Sequence, residues 1–204
     1  MHVRATDLDS LDPAATPAAP RGTCELIADT QHLDRVVRRG MLDARVSLDV
    51  MTADFKAMLV PPPIRTSGRR DAPSIVAHLL QLARRGVEIR ILHAGVPSGA
   101  ALRELKKASP LPDTLTIRRC PRLHAKAVIV DASAMYLGSA NLTGAGLGAK
   151  AARNRNFELG VWTEAPELIE PVSASFNELW EAERCRDCGR RDVCPVPLEE
   201  PRLR

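Results

Sequence analysis

Two rhythms of apolar and polar residues alternate along this chain. "ARVSLDVMTAD" (44–54) alternates with a period of two and predicts a strand, whereas "CELIADTQHLDRVVRRG" (24–40) places its apolar residues at helical spacing and stops at Gly40. "PSIVAHLLQLARRGVEIRILHAG" predicts a helix opened near Asp71 and Pro73 and closed at Gly86, then a strand over Val87 to Leu92. "SGAALRELKKAS" reads as a further helix, "TLTIRRC", "HAKAVIVD" and "AMYLGS" as strands, and "NFELGVWTE" as another strand. The helix "APELIEPVSASFNELWEAERCR", with Pro171 inside it, follows. Strands and helices in alternation predict an α/β fold, a mixed β-sheet flanked by helices on both faces. There is no internal repeat.

Punctuation divides the pattern. Residues 1–22, rich in Ala, Pro and Asp, read as a disordered leader; 23–184 form one domain; 185–204 form a Cys-rich C-terminal tail. "PPPIRTSGRRDAP" (61–73) is neither helix nor strand and reads as an exposed basic loop placed as a rim over a site. The leader has no apolar core of the secretory type, and no long apolar run suggests a membrane span, so a soluble cytoplasmic protein is expected, with no membrane partner.

Composition narrows the partners. Lys and Arg number 29 against 25 Asp and Glu, a formal charge of +4 that leans mildly toward polyanions. The basic residues cluster, and Arg69 and Arg70, Arg122, and Lys150, Arg153 and Arg155 are candidates for phosphate contact, although solvated faces explain many such clusters. Aromatic residues make up only 3% of the chain, which argues against a base-stacking platform and for contact through the backbone of any nucleic acid.

The chemistry is concentrated in "RLHAKAVIVDASAMYLGSANLT" (122–143). In a strand, His124 and Lys126 project to one face. Asp131, an odd seven positions past His124, turns away from that face and reads as a structural hydrogen-bonding group. Ser139 and Asn141, two apart after Gly138, supply a hydroxyl and an amide where glycine permits close backbone approach to a ligand. A nucleophile, a cation and neutral donors together suit a tetrahedral anion. The adjacent "GAGLGA" lacks the spacing of a dinucleotide fingerprint and reads as a loop. His93 is read as structural, and His32 and His78, inside predicted helices, carry no functional reading.

"HAKAVIVD" followed after six residues by "GSAN" resembles the HxKxxxxD(x)6GSxN pattern of the phospholipase D superfamily at His124, Lys126, Asp131, Gly138, Ser139 and Asn141. "RNRNFELGV" looks like the later Asn-x-Glu element of that family, which puts Glu158 in the place of the carboxylate that orients the histidine, with Asn156 beside it. The resemblance implies the phospholipase D-like α/β/α sandwich. It also implies phosphodiester cleavage with no catalytic cofactor, through a phosphohistidine, with two histidines as nucleophile and acid. None of His2, His32, His78 and His93 is followed two residues later by Lys, so one chain offers half a site. A two-fold homodimer supplies the other half. Short single-motif members, bacterial endonucleases among them, are dimers of this kind, and some act in restriction or phage defence. The leading expectation is therefore a DNA or RNA endonuclease; the alternatives are a lipid or small-molecule phosphodiesterase or phosphatidyl transferase, and a non-catalytic nucleic-acid-binding subunit.

The tail "CRDCGRRDVC" holds Cys185, Cys188 and Cys194 among five cysteines in all. Tetrahedral zinc takes four ligands, so a structural zinc here recruits Cys24, or Cys120 in its place. An iron–sulfur cluster and free or redox thiols are the other readings of the same tail.

Overall fold

In a computed structural model, which describes residues 22–62 and 72–203, seven strands form one sheet in the order β1-β7-β6-β5-β2-β3-β4. They are β1 (Cys24–Ala28), β2 (Ser47–Thr52), β3 (Glu88–His93), β4 (Leu115–Arg119), β5 (Ala127–Val130), β6 (Ala134–Gly138) and β7 (Leu159–Thr163). Strands β2, β3 and β4 run parallel, and β5, β6, β7 and β1 add antiparallel pairs. The helices are α1 (Ile75–Arg84), α2 (Gly99–Lys107) and α3 (Pro166–Trp180). Ser74 caps α1 by accepting from Ala77 N–H, and Ser98 caps α2 by accepting from Ala101 N–H.

Period-two alternation decides which layer covers which face. Leu48, Val50, Ile89, Ile91, Val128 and Val130 point to the side on which α1 and α2 bury Ile75, Leu79, Leu82, Ala101 and Leu105. The intervening Met51, Leu92 and Ala127 meet Phe176 and Trp180 of α3 on the other side. There Arg90 forms a two-pronged ion pair with Asp49, both contacts at 2.7 Å, and its guanidinium lies 4.8 Å above the Phe176 ring. This is the expected mixed sheet with helices on both faces.

The sequence pattern is overturned at one segment. Residues 24–40 are not one helix: Cys24–Ala28 is strand β1, paired with β7, and His32–Arg38 is a π-helical segment. Its wider turn, marked by Arg39 N–H donating to Asp34 O, lets the adjacent Val36 and Val37 both be fully buried. Strand β5 is also shorter than expected, beginning at Ala127, so His124 and Lys126 lie in the extended segment that leads into it. The loop with Arg69 and Arg70 and nearly all of the leader lie outside the described residues. From the Cys-rich tail, Glu199 forms a β-bridge with Arg119 at the β4 edge. No helix among the described residues is long and apolar enough to cross a membrane.

Candidate active site

Four strand ends meet where the HxK and GSxN spacing of the sequence places its polar residues. Gly138 N–H donates to Lys126 O, Ser139 N–H donates to Leu159 O, and Gly138 pairs with Gly160. The start of β5, the end of β6 and the start of β7 therefore lie side by side. Asn141 joins them to the end of β2, because its Oδ1 accepts from Ala53 N–H at 3.0 Å and Asp54 N–H at 3.1 Å. This is the end at which the parallel strands finish, where open α/β sheets place their ligands.

His124 is exposed, and Lys126 is 8% exposed beneath it. Lys126 Nζ donates to His124 O at 2.7 Å and stands 3.2 and 3.3 Å from the two ring nitrogens. The ammonium is thus held within reach of any anion that the imidazole touches. Ser139 Oγ donates to Glu158 Oε2 and receives Leu159 N–H at 3.1 Å. Asn156 Nδ2 donates to Glu158 Oε1 at 2.9 Å, so both oxygens of this buried carboxylate are held. Among the described residues Glu158 makes no bond to His124 of its own chain. Asn141 spends its carbonyl on the β2 end, which leaves its amide N–H groups as donors.

Asp131 sits away from these groups. It occupies the β5–β6 turn at φ 52°, and its carboxylate accepts from Arg45, Val46 and Ser47 N–H at 2.8 to 3.1 Å. Burial opposes its charge, but these three N–H bonds, with the Arg45 charge nearby, hold it below the ordinary carboxylate value.

A second layer escaped the sequence reading. The Tyr136 ring lies across Gly138 and Gly160: a methyl group on Gly138 would run into Tyr136 Oη and come within 2.6 Å of Gly160 Cα. Gly138 is therefore needed for Tyr136 and for β7, a reason different from close approach to a ligand. Tyr136 Oη accepts from Ala140 N–H at 3.1 Å and contacts His32 Nε2 at 2.9 Å, while His32 Nδ1 contacts Asp29 O at 2.9 Å. One proton assignment satisfies all three: Tyr136 donates to Nε2, and neutral His32 donates from Nδ1 to Asp29. Burial pushes the Tyr136 hydroxyl up to about 12 and holds the His32 imidazole below its ordinary value. A tyrosine two residues before the Gly-Ser pair was the available signal, but nothing in the sequence paired it with His32.

The predicted phosphate contacts separate. Arg122 and His124 line a cavity of about 430 Å³ with Met51, Leu123, Leu137 and Val172. Lys150 lines another, near Lys56, and Arg155 a third, near Arg35, Arg38 and Arg39. Arg153 is exposed on a short 3-10 turn. Several other arginines serve the fold: Arg35 stacks over Trp162 and pairs with Glu25, and Arg118 stacks over Trp180.

The expected zinc quartet finds no support among the described residues. No group of three or more His, Cys, Asp or Glu side chains among the described residues is arranged to hold a metal ion. Cys24 stands on β1, at the opposite edge of the sheet from β4, which leads into Cys120. Sequence distance carried no information about that separation.

The sequence model described as "Cardiolipin synthase, PLD-like domain" matches residues 43–180, more than half of the chain. No curated protein matches. Among solved structures, NucT from Helicobacter pylori is similar at 16% identity and a TM-score of 0.58, covering 79% of this chain and 97% of its own. Nuc from Salmonella typhimurium, described as a phospholipase D family member, is similar at 21% identity and a TM-score of 0.55, covering 79% of this chain and 95% of its own. These likenesses bear on the fold. Together with the family match and the paired His124 and Lys126, they lead to one conclusion: the chain belongs to the phospholipase D superfamily, as a member with a single HxK motif.

Proposed function

We propose that the protein is a metal-independent phosphodiesterase acting on a nucleic-acid backbone, with one composite site built by two copies of the chain. The observation that carries this reading is the single His124–Lys126 pair, with His124 exposed over the buried Lys126 at the sheet end that carries Ser139 and Asn141. One His124 attacks phosphorus, the bond to the leaving oxygen breaks, and the partner's His124 protonates that oxygen. Water then releases the phosphoryl group from the first ring. Both Lys126 ammonium groups and the Asn141 amides stabilise the charge that develops on phosphorus. In this reading Glu158, buried and accepting from Ser139 and Asn156, orients a histidine of the second copy.

An uncovered apolar row supports the dimer. Ala127, Leu137, Val161 and Leu26 are direct cross-strand neighbours on β5, β6, β7 and β1, and such pairs share a face. Helix α3 covers Ala127, but Leu137 is 42%, Leu159 61% and Leu26 66% exposed. The row begins beside the site, since Leu159 N–H donates to Ser139 Oγ. A second copy on this face would bring its own site to the same place.

The cavity beside His124, with Met51, Leu123, Leu137, Val172 and Leu179 in its wall, favours a second reading in which the phosphodiester belongs to a lipid. Incubation with plasmid, single-stranded DNA, RNA and phosphatidylcholine vesicles in EDTA separates the two. Cutting of nucleic acid that survives EDTA and disappears in His124→Ala is the expected result. Cutting that persists in His124→Ala would sink the assignment, and vesicle hydrolysis alone would replace the substrate class.

A further inference from the structure

The cavity beside His124 has a wall that the phosphodiester chemistry does not use. Cys120, Cys185 and Cys188 line it together with Arg122, His124 and Arg184. Arg122, two residues before His124, donates from Nη1 to Cys188 Sγ at 3.6 Å. Cys188 N–H donates to Cys185 O at 3.4 Å, closing a turn of four residues between the two cysteines. Such a turn keeps the terminal Cα atoms within about 7 Å, and a disulfide spans roughly 4.4–6.8 Å. The pair is thus close enough to bridge with little backbone movement.

We propose that Cys188 and Cys185 form a peroxide-sensitive dithiol that sets whether Arg122 is free to meet a phosphate beside His124. The consequence for substrate binding rests on the phosphodiesterase reading above; the thiol chemistry does not.

The two sulfurs are set up for different roles. The Arg122 guanidinium, then the Arg190 N–H, hold the Cys188 thiol below its ordinary value, and Cys188 is partly exposed. Burial, then the neighbouring Cys120, Cys188 and Cys194, push the Cys185 thiol up. Cys188 is the sulfur that attacks and Cys185 the one that resolves. The Cys188 thiolate takes one oxygen from a hydroperoxide such as hydrogen peroxide, forming a sulfenic acid and releasing hydroxide. The Cys185 thiol then attacks that sulfur, the S–O bond breaks, and water leaves. Two electrons pass from the two sulfurs to the peroxide. In the disulfide, Cys188 Sγ is bonded to Cys185 and drawn away from Arg122 Nη1, which in the dithiol donates to it at 3.6 Å, and the guanidinium is released into the cavity that His124 lines.

Two measurements test this on the full chain. Peroxide treatment followed by alkylation and peptide mass mapping is expected to show a Cys185–Cys188 disulfide. Cys185→Ser should instead accumulate a dimedone-reactive sulfenic acid at Cys188, and Cys24→Ser should change nothing. Binding of a fluorescein-labelled oligonucleotide to the His124→Ala protein is then measured across salt concentrations in both redox states. One extra phosphate contact makes the slope of log K against log salt steeper by about one in the oxidised form, and Arg122→Gln should remove that difference. The proposal is overturned if peroxide joins other cysteines or none, if equal slopes accompany a complete disulfide, or if the protein retains a stoichiometric metal through EDTA treatment. Formation of the disulfide in a protein that binds no oligonucleotide in either state would instead count against the nucleic-acid reading, and the control of Arg122 would fall with it.

Discussion

The Tyr136 hydroxyl takes the Ala140 N–H, gives its own proton to His32, and fills the space left by Gly138 and Gly160. It therefore supports the segment carrying Ser139 and Asn141 from below. Tyr136→Phe leaves the Ala140 N–H and His32 Nε2 buried without that partner. A loss of about 2 kcal/mol in stability is expected, read from the urea midpoint. His32 adds a pH dependence whose sign follows from its direction. Burial holds its imidazole below the ordinary 6.5, against the opposing pull of the Asp29 carbonyl and the Glu158 and Asp29 carboxylates. The unfolded chain thus binds the extra proton first, so stability is complete above about pH 6.5 and declines as pH falls below it. His32→Gln should flatten that decline in urea titrations run at successive pH values. At this scale His124, Lys126, Ser139 and Asn141 were legible because their spacing is local, whereas His32 and Tyr136, 104 positions apart, meet only through the fold.

At the scale of elements, the β5–β6 hairpin ties the sheet centre to the start of β2. Its turn places Asp131 and Ala132 both at φ 52°, with Ser133 N–H donating to Val130 O at 3.0 Å. Two left-handed residues match the twist of the flanking strands, but alanine is a poor occupant of the second position. Ala132→Gly should raise stability by about 1 kcal/mol, detected as a higher Tm, with catalysis unchanged. Asp131→Ala should do the opposite, costing about 2 kcal/mol through the loss of three N–H bonds, a figure already reduced for its contact with solvent. The contribution of Asp131 is present above its ordinary value of 3.8 and is lost as pH falls through its lowered folded value. Asp131→Ala should therefore be least different from the parent in strong acid. The period-two strands and the bodies of the helices were readable because each pattern lies within one element, although the first helix, expected to open near Asp71 and Pro73, is capped by Ser74. Residues 24–40 were not, because Ile27, Val36 and Val37 suit either a helix or a strand followed by a π-turn, and the pairing of β1 with β7 decides between them.

For the whole molecule, the His124–Lys126 pair, proposed as half of a composite site, and an uncovered apolar row adjoin each other. Leu159→Glu puts a charge into the face on which the second copy is proposed to sit, and two-fold symmetry brings two such charges toward one another. The dimer should weaken by at least about 3 kcal/mol, on the order of 100-fold in Kd. Sedimentation velocity should show monomer at micromolar protein, with activity falling in step with the dimer fraction. A fully active Leu159→Glu monomer would remove both the interface and the composite site.

The order of residues by itself determined most of the alternating elements, the α/β class and the HxKxxxxD(x)6GSxN spacing, because each depends on spacings of a few residues along one strand, turn or helix. Tertiary structure alone decided that Glu158 binds Ser139 and not the histidine of its own chain, that Cys24 stands at the far sheet edge from β4, and that Arg122 faces Cys188. Those outcomes depend on which distant strands pair and which helix covers them. Many pairings satisfy the same local pattern, and the one realised is set by the burial and hydrogen bonding of the whole sheet.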